Sequence, residues 1–451
     1  MKEAFWLIER LNEFYNRTAI VWNGKSYNYL WLTNRIAYWL RVLSDKDIRR
    51  GEVVAFSADY SPDSCSLLIA LASNDNIIVP LSGQLKEEGR DYLRSSNAGW
   101  FFVMKDSKSS IRKLSMQRPH PLVKRLQNAR RPGIVLFSSG STGRPKAILH
   151  DFFKLLERHK QRRKKLVTIP FLFLDHIGGL NTLFYTLSNG GTLVILKERS
   201  PRRVCEAVER YRVELLPVSP TFLNLLLISN ACQDFNLGSL KIISYGTEVM
   251  PEETLKRLHK LLPRVKLLQT YGLSELGILF SKSRGSSSLW MKVGGEGFKI
   301  KIIDSELWIK SEFSMLGYLN APNPFREAGW FNTHDLVVKG KNGYLKVLGR
   351  STDIINVGGQ KVFPSEVENV ILKVPGVKDV TVFAEKNPLL GSIVAARVCL
   401  KEPAKETPEE FKRRMWLFCK KIIPAYKIPV RLIITDKEEY GRRFKKIRRR
   451  V

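Results

Sequence analysis

The stretch IVLFSSGSTGRPKAILH, residues 134–150, runs from a β-branched apolar strand into a loop of serine, threonine and glycine that closes on Lys146. Such a loop is built to hold phosphate. Gly140 and Gly143 let the backbone approach closely, Ser138, Ser139, Ser141 and Thr142 present hydroxyl and amide donors, and Lys146 supplies a point charge. The spacing is not the GxxxxGK[ST] of nucleotide-hydrolysing P-loop proteins, because Ala147 follows Lys146 and the glycines fall differently. An ordinary P-loop ATPase is therefore disfavoured.

Upstream of the loop, the pattern predicts a helix over Tyr29–Leu43, a strand over Val53–Ser57, a helix over Ser64–Ala72 and a strand over Ile77–Pro80. Downstream, short apolar runs at Thr192–Leu196, Leu215–Val218 and Lys241–Tyr245 each lead into turn residues or a helical pattern. Alternation of this kind implies helix-covered, mostly parallel sheets. From about Lys299 the texture changes to short strands with glycine and proline turns, a small β-rich subdomain. After Arg350 a separate cycle of helix (Pro364–Leu372), strands (Val377–Ala384, Ile393–Leu400), helix (Pro408–Lys421) and strand (Val430–Ile434) predicts a small α+β domain. The expected division is a large α/β domain over 1–350 and a C-terminal domain over 351–451, which suits a chain of 451 residues.

Composition is that of an ordinary globular chain: hydrophobic residues make up 44% and charged residues 26%. The longest apolar stretch, Val213–Ile228, is broken by Pro217 and Pro220 and falls short of a bilayer span. The N-terminal segment reads as an amphipathic helix rather than a signal peptide. Five scattered cysteines suggest neither a disulfide framework nor a zinc site, so a reducing cytoplasm fits best. The net charge of +32, concentrated in RHKQRRKK (158–165), in 105–131 and in GRRFKKIRRR (441–450), would attract anionic partners. A solvated basic surface is the favoured reading. Nucleic acid is disfavoured because no aromatic-interleaved motif accompanies the charge, while an acidic carrier protein and peripheral contact with an anionic membrane stay open.

With QTYGLSELG (269–277), GWFNTHD (329–335) and GRSTDIINVGGQKVFPSEVE (349–368) following the loop in order, the chain resembles the adenylate-forming, AMP-binding superfamily of acyl-CoA and aryl-CoA synthetases. The resemblance spans nearly the whole chain. It implies ATP-dependent activation of a small-molecule carboxylic acid, fatty or aryl, to an acyl-adenylate, then transfer to a thiol, first of all that of coenzyme A. It assigns Tyr271 to adenine and Glu275 to Mg2+, with Gly272 and Ser274 beside them in the ATP site. Asp335 and Arg350 match the residues that contact the ribose. SYGTEVM (244–250) offers Gly246, Thr247 and Glu248 for the adenine pocket. His176, in PFLFLDHIGGL, lies in register with a histidine between ATP and the acyl pocket.

The resemblance also implies a hinge at Thr352, a thiol channel formed by Val357, Gly358 and Gly359, and one C-terminal lysine that reaches the reacting carboxylate. In the family that lysine follows a glycine and precedes an apolar residue. Lys446, before Ile447 and Arg448, matches best; Lys445 stands where the glycine should be, so the register stays open by one residue. His334 likewise stands where the family has glycine. Two alternatives remain beside the coenzyme A ligase. Asp175 could hold the ammonium of an amino acid in an enzyme that loads carrier-protein phosphopantetheine, or the chain could be a degenerate nucleotide-binding scaffold without turnover.

Overall fold

The computed structural model describes residues 5–83, 88–105, 108–115, 118–138, 145–400, 406–435, 440–441, 443–446 and 448. Two seven-stranded sheets form the body. One has strands in the order 266–269, 242–245, 215–218, 167–168, 192–195, 18–22, 25–28, and the other runs 317–318, 146–151, 133–138, 77–81, 53–57, 100–105, 108–113. Their central strands are parallel; antiparallel pairs stand at both edges of the second sheet and at the 25–28 edge of the first, whose other edge strand, 266–269, is parallel to its neighbour. The sheets are thus mixed at their margins.

Three helices, Tyr29–Asp45, Pro62–Ser73 and Ile177–Ser188, contribute to a core that takes side chains from both sheets. Helix Pro62–Ser73 shows why: its residues from Ser64 to Ala72 are apolar or small, and all are buried. A helix without a polar face is stable only when covered on every side. Its start is fixed by Ser61, whose side chain accepts from the Ser64 N–H while Ser64 answers the Ser61 N–H, and by Pro62 in the first turn.

A six-stranded antiparallel sheet follows, in the order 280–283, 291–294, 345–350, 331–339, 306–311, 298–303. It ends at Arg350. After the single turn Ser351–Asp353, five strands build a different sheet, in which 377–387 and 431–435 flank 391–400 and the hairpin 355–357/360–362 extends the edge. This sheet and the helices Pro364–Ile371 and Pro408–Lys420 enclose a core of their own.

The site is placed by the parallel strands of the first sheet. Strands 167–168, 242–245 and 266–269 deliver the segments containing His176, Gly246 and Tyr271 from their carboxyl ends, where open α/β sheets bind ligands.

Candidate active site

The glycine-rich loop proves to be the connection of a hairpin. Strands Gly133–Ser138 and Lys146–Asp151 pair antiparallel with Ser138 opposite Lys146, so the loop is gripped at its base. Ser139, Gly140, Ser141, Thr142 and Gly143 lie outside the described residues. At the base, Asn320 accepts from the Ala147 N–H at 2.8 Å and donates to the Pro145 carbonyl at 2.9 Å. Lys146 Nζ sits 5.0 Å above the ring of Tyr318, and the Tyr318 hydroxyl donates to Glu275 Oε1 at 2.9 Å. Lysine and carboxylate are therefore joined through one aromatic side chain.

The turn carrying Glu275 is held from the same hairpin. His150 Nε2 lies 2.6 Å from the Ser274 carbonyl, and because a carbonyl only accepts, this nitrogen carries the proton. Burial pushes the imidazole down to about 4, so it stays neutral. Gly272 is needed on packing grounds: an added Cβ would lie 2.9 Å from the Gly277 carbonyl oxygen. Among the described residues no group of three or more His, Cys, Asp or Glu could hold a metal alone. Glu275 offers one carboxylate with an oxygen beyond its bond to Tyr318, a donor set that fits Mg2+ held mostly by phosphates and water.

The other end of the YGLSE segment faces Asp335. The Tyr271 hydroxyl donates to Asp335 Oδ2, and Asp335 pairs across the strands with Arg350, whose Nε is 3.5 Å from Oδ1. Burial raises the Asp335 pKa while Arg350 and Tyr271 oppose the rise. His334 takes φ +58°, the left-handed conformation that glycine adopts freely, at a cost of about 1 kcal/mol. Its N–H donates to Asn332 Oδ1 at 2.9 Å and its imidazole lies 3.6 Å from Glu306. The turn keeps its form without glycine.

A cavity at the start of helix Ile177–Ser188 brings together His176, Lys445 and Arg443 with the phenylalanine cluster of Phe171 and Phe444. His176 caps this helix, its Nδ1 accepting from the Gly178 N–H at 3.0 Å, which leaves Nε2 as the protonated donor. Burial, with Lys445 and Arg443 nearby, pushes its pKa down to about 3. Burial also lowers the Lys445 pKa; Glu248 offsets part of this, and Arg443 and Arg350 add to it.

Lys446 points elsewhere. Its ammonium lies 3.3 Å from Asp379, 3.9 Å from Glu368 and within bonding distance of the Val380 carbonyl, all in the C-terminal domain. Its backbone N–H donates to Glu248 Oε1 at 2.9 Å. The residue before Lys445 is Phe444 at φ +51°, so the left-handed position precedes Lys445 rather than Lys446. The sequence register placed Lys446 first because Ile447 follows it; the structure places Lys445 beside His176 instead.

Asp175 is engaged through one of its two oxygens, while Oδ1 is buried without a hydrogen-bond partner among the described residues. Oδ2 accepts from the Ser82 N–H at 3.0 Å, the Ser82 hydroxyl at 2.6 Å and Arg443 at 2.9 Å. Glu248 is similarly engaged, with Thr221 Oγ1 at 2.6 Å. Gly246 lies where an added Cβ would meet the Thr270 carbonyl oxygen at 2.8 Å, and Thr247 takes φ +74°. Val357, Gly358 and Gly359 form a hairpin turn with positive φ at both glycines, and the Gly358 N–H donates to the Leu390 carbonyl. The Gly358–Leu390 contact lies within the C-terminal domain.

Sequence reasoning missed Tyr318, Asn320, His150 and Arg443. Tyr318 and Asn320 stand in GYLN, which showed only as part of a β-rich stretch, and Arg443 was hidden in a run of like charges.

A profile of the AMP-binding enzymes matches residues 7–319, and one of the AMP-binding enzyme C-terminal domain matches 366–445. The indoleacetate–CoA ligase of Aromatoleum aromaticum is 24% identical over 88% of this chain and 88% of that protein. The 2-succinylbenzoate–CoA ligase of Bacillus pumilus is 25% identical over 97% of this chain and 95% of that protein. In fold, an anthranilate CoA ligase in complex with anthranoyl-AMP superposes with a TM-score of 0.83 at 20% identity, covering 98% of this chain and 95% of the other. With the first profile spanning most of the large domain, the chain belongs to the AMP-binding enzyme family, the adenylate-forming superfamily that its motifs resemble.

Proposed function

We infer that the chain is an AMP-forming acid–thiol ligase that activates a carboxylic acid with ATP and passes the acyl group to coenzyme A. One observation carries this reading. The short segment 271–275 holds two constellations apart, Tyr271 with Asp335 and Arg350 at one end and Glu275 with Tyr318 and Lys146 at the other. A nucleoside triphosphate has the same two parts: a diol to be accepted by a carboxylate and phosphates to be met by cations.

In the first step a carboxylate oxygen of the substrate attacks the α-phosphorus of ATP. The new P–O bond forms as the bond to the bridging oxygen of pyrophosphate breaks, giving acyl-adenylate and pyrophosphate. Lys146 stands at the leaving phosphates, and Glu275 would hold Mg2+, which neutralises phosphate charge when bound. Lys445 and the Nε2–H of His176 meet the carboxylate oxygens, lowering the repulsion between two anions. Because its pKa is depressed, Lys445 carries its charge below that pKa and loses it as pH rises through it. In the second step the thiol attacks the acyl carbon and AMP leaves; the turn at Val357–Gly359 is our candidate for the channel that admits it.

The names of the relatives favour coenzyme A over a carrier protein. The engagement of Asp175 with Ser82 and Arg443 speaks against an amino-acid substrate. Among the described residues no helix is long and apolar enough to cross a membrane. None of the five cysteines forms a disulfide, which suits a reducing compartment such as the cytoplasm. Incubation with ATP, Mg2+, coenzyme A and a panel of fatty, aryl and amino acids tests the reading. AMP and an acyl-CoA are expected in equal amounts; ADP, or nucleotide products independent of the acid, would overturn it.

A further inference from the structure

Helix Pro408–Lys420 buries Phe411, Met415 and Cys419, spaced i, i+4 and i+8, in the core of the C-terminal domain. Its opposite face is exposed and carries Lys412, Arg413, Trp416, Leu417 and Lys420. A solvated helix face is ordinarily polar throughout, yet Trp416 is 38% exposed and Leu417 49%. The connection that follows continues the pattern, with Ile422, Tyr426 and Val430 exposed before strand Arg431–Thr435 begins. Among the described residues, five of the fifteen large hydrophobic side chains left exposed thus fall within positions 416–430. Scattered singly, such residues need no explanation; gathered where one helix ends and turns into a strand, they mark a contact surface.

The charge of the same stretch has one sign. Residues 411–435 contain seven lysines and arginines and no aspartate or glutamate. Arg414, Lys427 and Arg431 are paired, with Glu406, Glu366 and Glu385. Lys412, Arg413, Lys420 and Lys421 form no ion pair among the described residues, and the Lys420 ammonium lies 4.8 Å over the Trp416 ring. The acidic residues of the helix, Glu409 and Glu410, stand in its first turn, where the Glu410 carboxylate accepts from the Thr407 N–H. Trp416 and Leu417 are therefore flanked along the chain, before and after, by unpaired cations.

We propose that this face docks on an anionic lipid surface, with Trp416, Leu417 and Ile422 entering the boundary between headgroups and acyl chains while the four unpaired cations meet lipid phosphates. The chemistry of the patch selects this occupant. A second copy of the chain would set four unpaired cations against four like charges. A nucleic acid strand would use the cations, but Leu417, Ile422 and Val430 offer no ring on which a base can stack. The outer face of a helix is convex, so a fluid surface closes around it, whereas a folded partner would need a matching groove. The patch shares no residue with the cavity at His176, so docking is independent of the activation reading and leaves its chemistry in place.

The experiment measures co-sedimentation of the full chain, without substrates, with phosphatidylcholine vesicles and with mixed phosphatidylcholine–phosphatidylglycerol vesicles at about 0.1 M salt, where distant charges are screened. The wild type should partition onto the mixed vesicles and not onto phosphatidylcholine alone. Leu417→Ser with Ile422→Ser should weaken partitioning roughly 10-fold or more, the scale of two apolar side chains left in water. Lys412→Gln with Lys420→Gln should weaken it about 30-fold, the scale of two lysines beside an anionic surface, while Lys164→Gln with Lys165→Gln, an exposed pair in the other basic segment, should stay within about 3-fold of wild type. All of these side chains are exposed, and unchanged melting temperatures should show that each variant folds. Equal binding of the wild type to both kinds of vesicle would overturn the proposal. So would equal losses in the two lysine pairs with none in the apolar pair, which would reduce the effect to overall charge. Polyglutamate and a single-stranded oligonucleotide serve as competing probes: patch variants that lose affinity for either one yet bind mixed vesicles as the wild type does would overturn the lipid surface in favour of that class of partner.

Discussion

Removing Arg443 should separate the two half-reactions. Arg443 lies two residues before Lys445 and donates to a buried carboxylate, Asp175, that belongs to the large domain. The contact therefore fixes where the tail presents Lys445. A hydrogen bond between charged partners is worth about 1.5–3 kcal/mol. Arg443 is 43% exposed, so solvent screening reduces this to about 1–2 kcal/mol for Arg443→Ala. If that energy holds the tail in place, the docked population falls about 5- to 30-fold. Docking is not abolished, because Ser219 Oγ still donates to the Phe444 carbonyl at 2.7 Å and Phe444 still packs on Phe171 and Phe222. The assay measures acid-dependent pyrophosphate exchange beside thioester formation from supplied acyl-adenylate. Exchange should fall by that factor, thioester formation should hold, and Arg443→Lys should recover part of the loss. Equal losses in both half-reactions, or none in either, would refute the positioning argument.

Tyr318→Phe removes the donor to Glu275 while leaving an aromatic face for Lys146, so the Mg2+ and ATP requirement of exchange should rise about 2- to 10-fold with little change in melting temperature. Three buried imidazoles predict acid sensitivity. The pKa of His150 is depressed to about 4 and those of His159 and His176 to about 3, so their neutral forms stabilise the fold above the unfolded value near 6.5, and this is lost as pH falls toward the folded values. At pH 5 each costs about 2 kcal/mol relative to pH 7, and denaturant titrations of His150→Gln and His159→Gln should each show a shallower loss between pH 6.5 and 5 than the wild type. Unchanged slopes in both variants would contradict the assignment of buried neutral rings.

Much of the fold could be read from the residues because apolar period and turn chemistry agreed. Val53–Ser57 and Leu215–Val218 fall where their β-branched and apolar runs place them, and Pro364 and Pro408 mark helix starts as proline does in a first turn. The strand Lys108–Lys113 was lost inside a basic run, since KSSIRK has no apolar alternation and is a strand only because Trp100–Lys105 pairs with it. At the site, the loop's own residues pointed to Lys146 and the family resemblance to Glu275, Tyr271 and Asp335, but neither showed what joins them. Tyr318 reaches Glu275 across 43 positions and Arg443 reaches Asp175 across 268, contacts that no local pattern encodes. The lysine register was ambiguous for a physical reason as well. Lys445 and Lys446 differ little as isolated residues; the left-handed turn at Phe444 and the acidic pair Asp379 and Glu368 decide which one faces the cavity.

The most direct test is acid-dependent exchange of labelled pyrophosphate into ATP by the wild type, Lys445→Ala and Lys446→Ala. The wild type should exchange only when acid is present. Lys445→Ala should lose roughly 30- to 1,000-fold, the effect of removing one preorganised charge of about 2–4 kcal/mol, while still forming thioester from supplied acyl-adenylate. Lys446→Ala should keep most of its exchange rate per folded molecule but melt at lower temperature, because Asp379 and Glu368 lose a buried partner. A wild type without acid-dependent exchange would contradict the activation chemistry, and full exchange in Lys445→Ala with none in folded Lys446→Ala would contradict the site proposed for it.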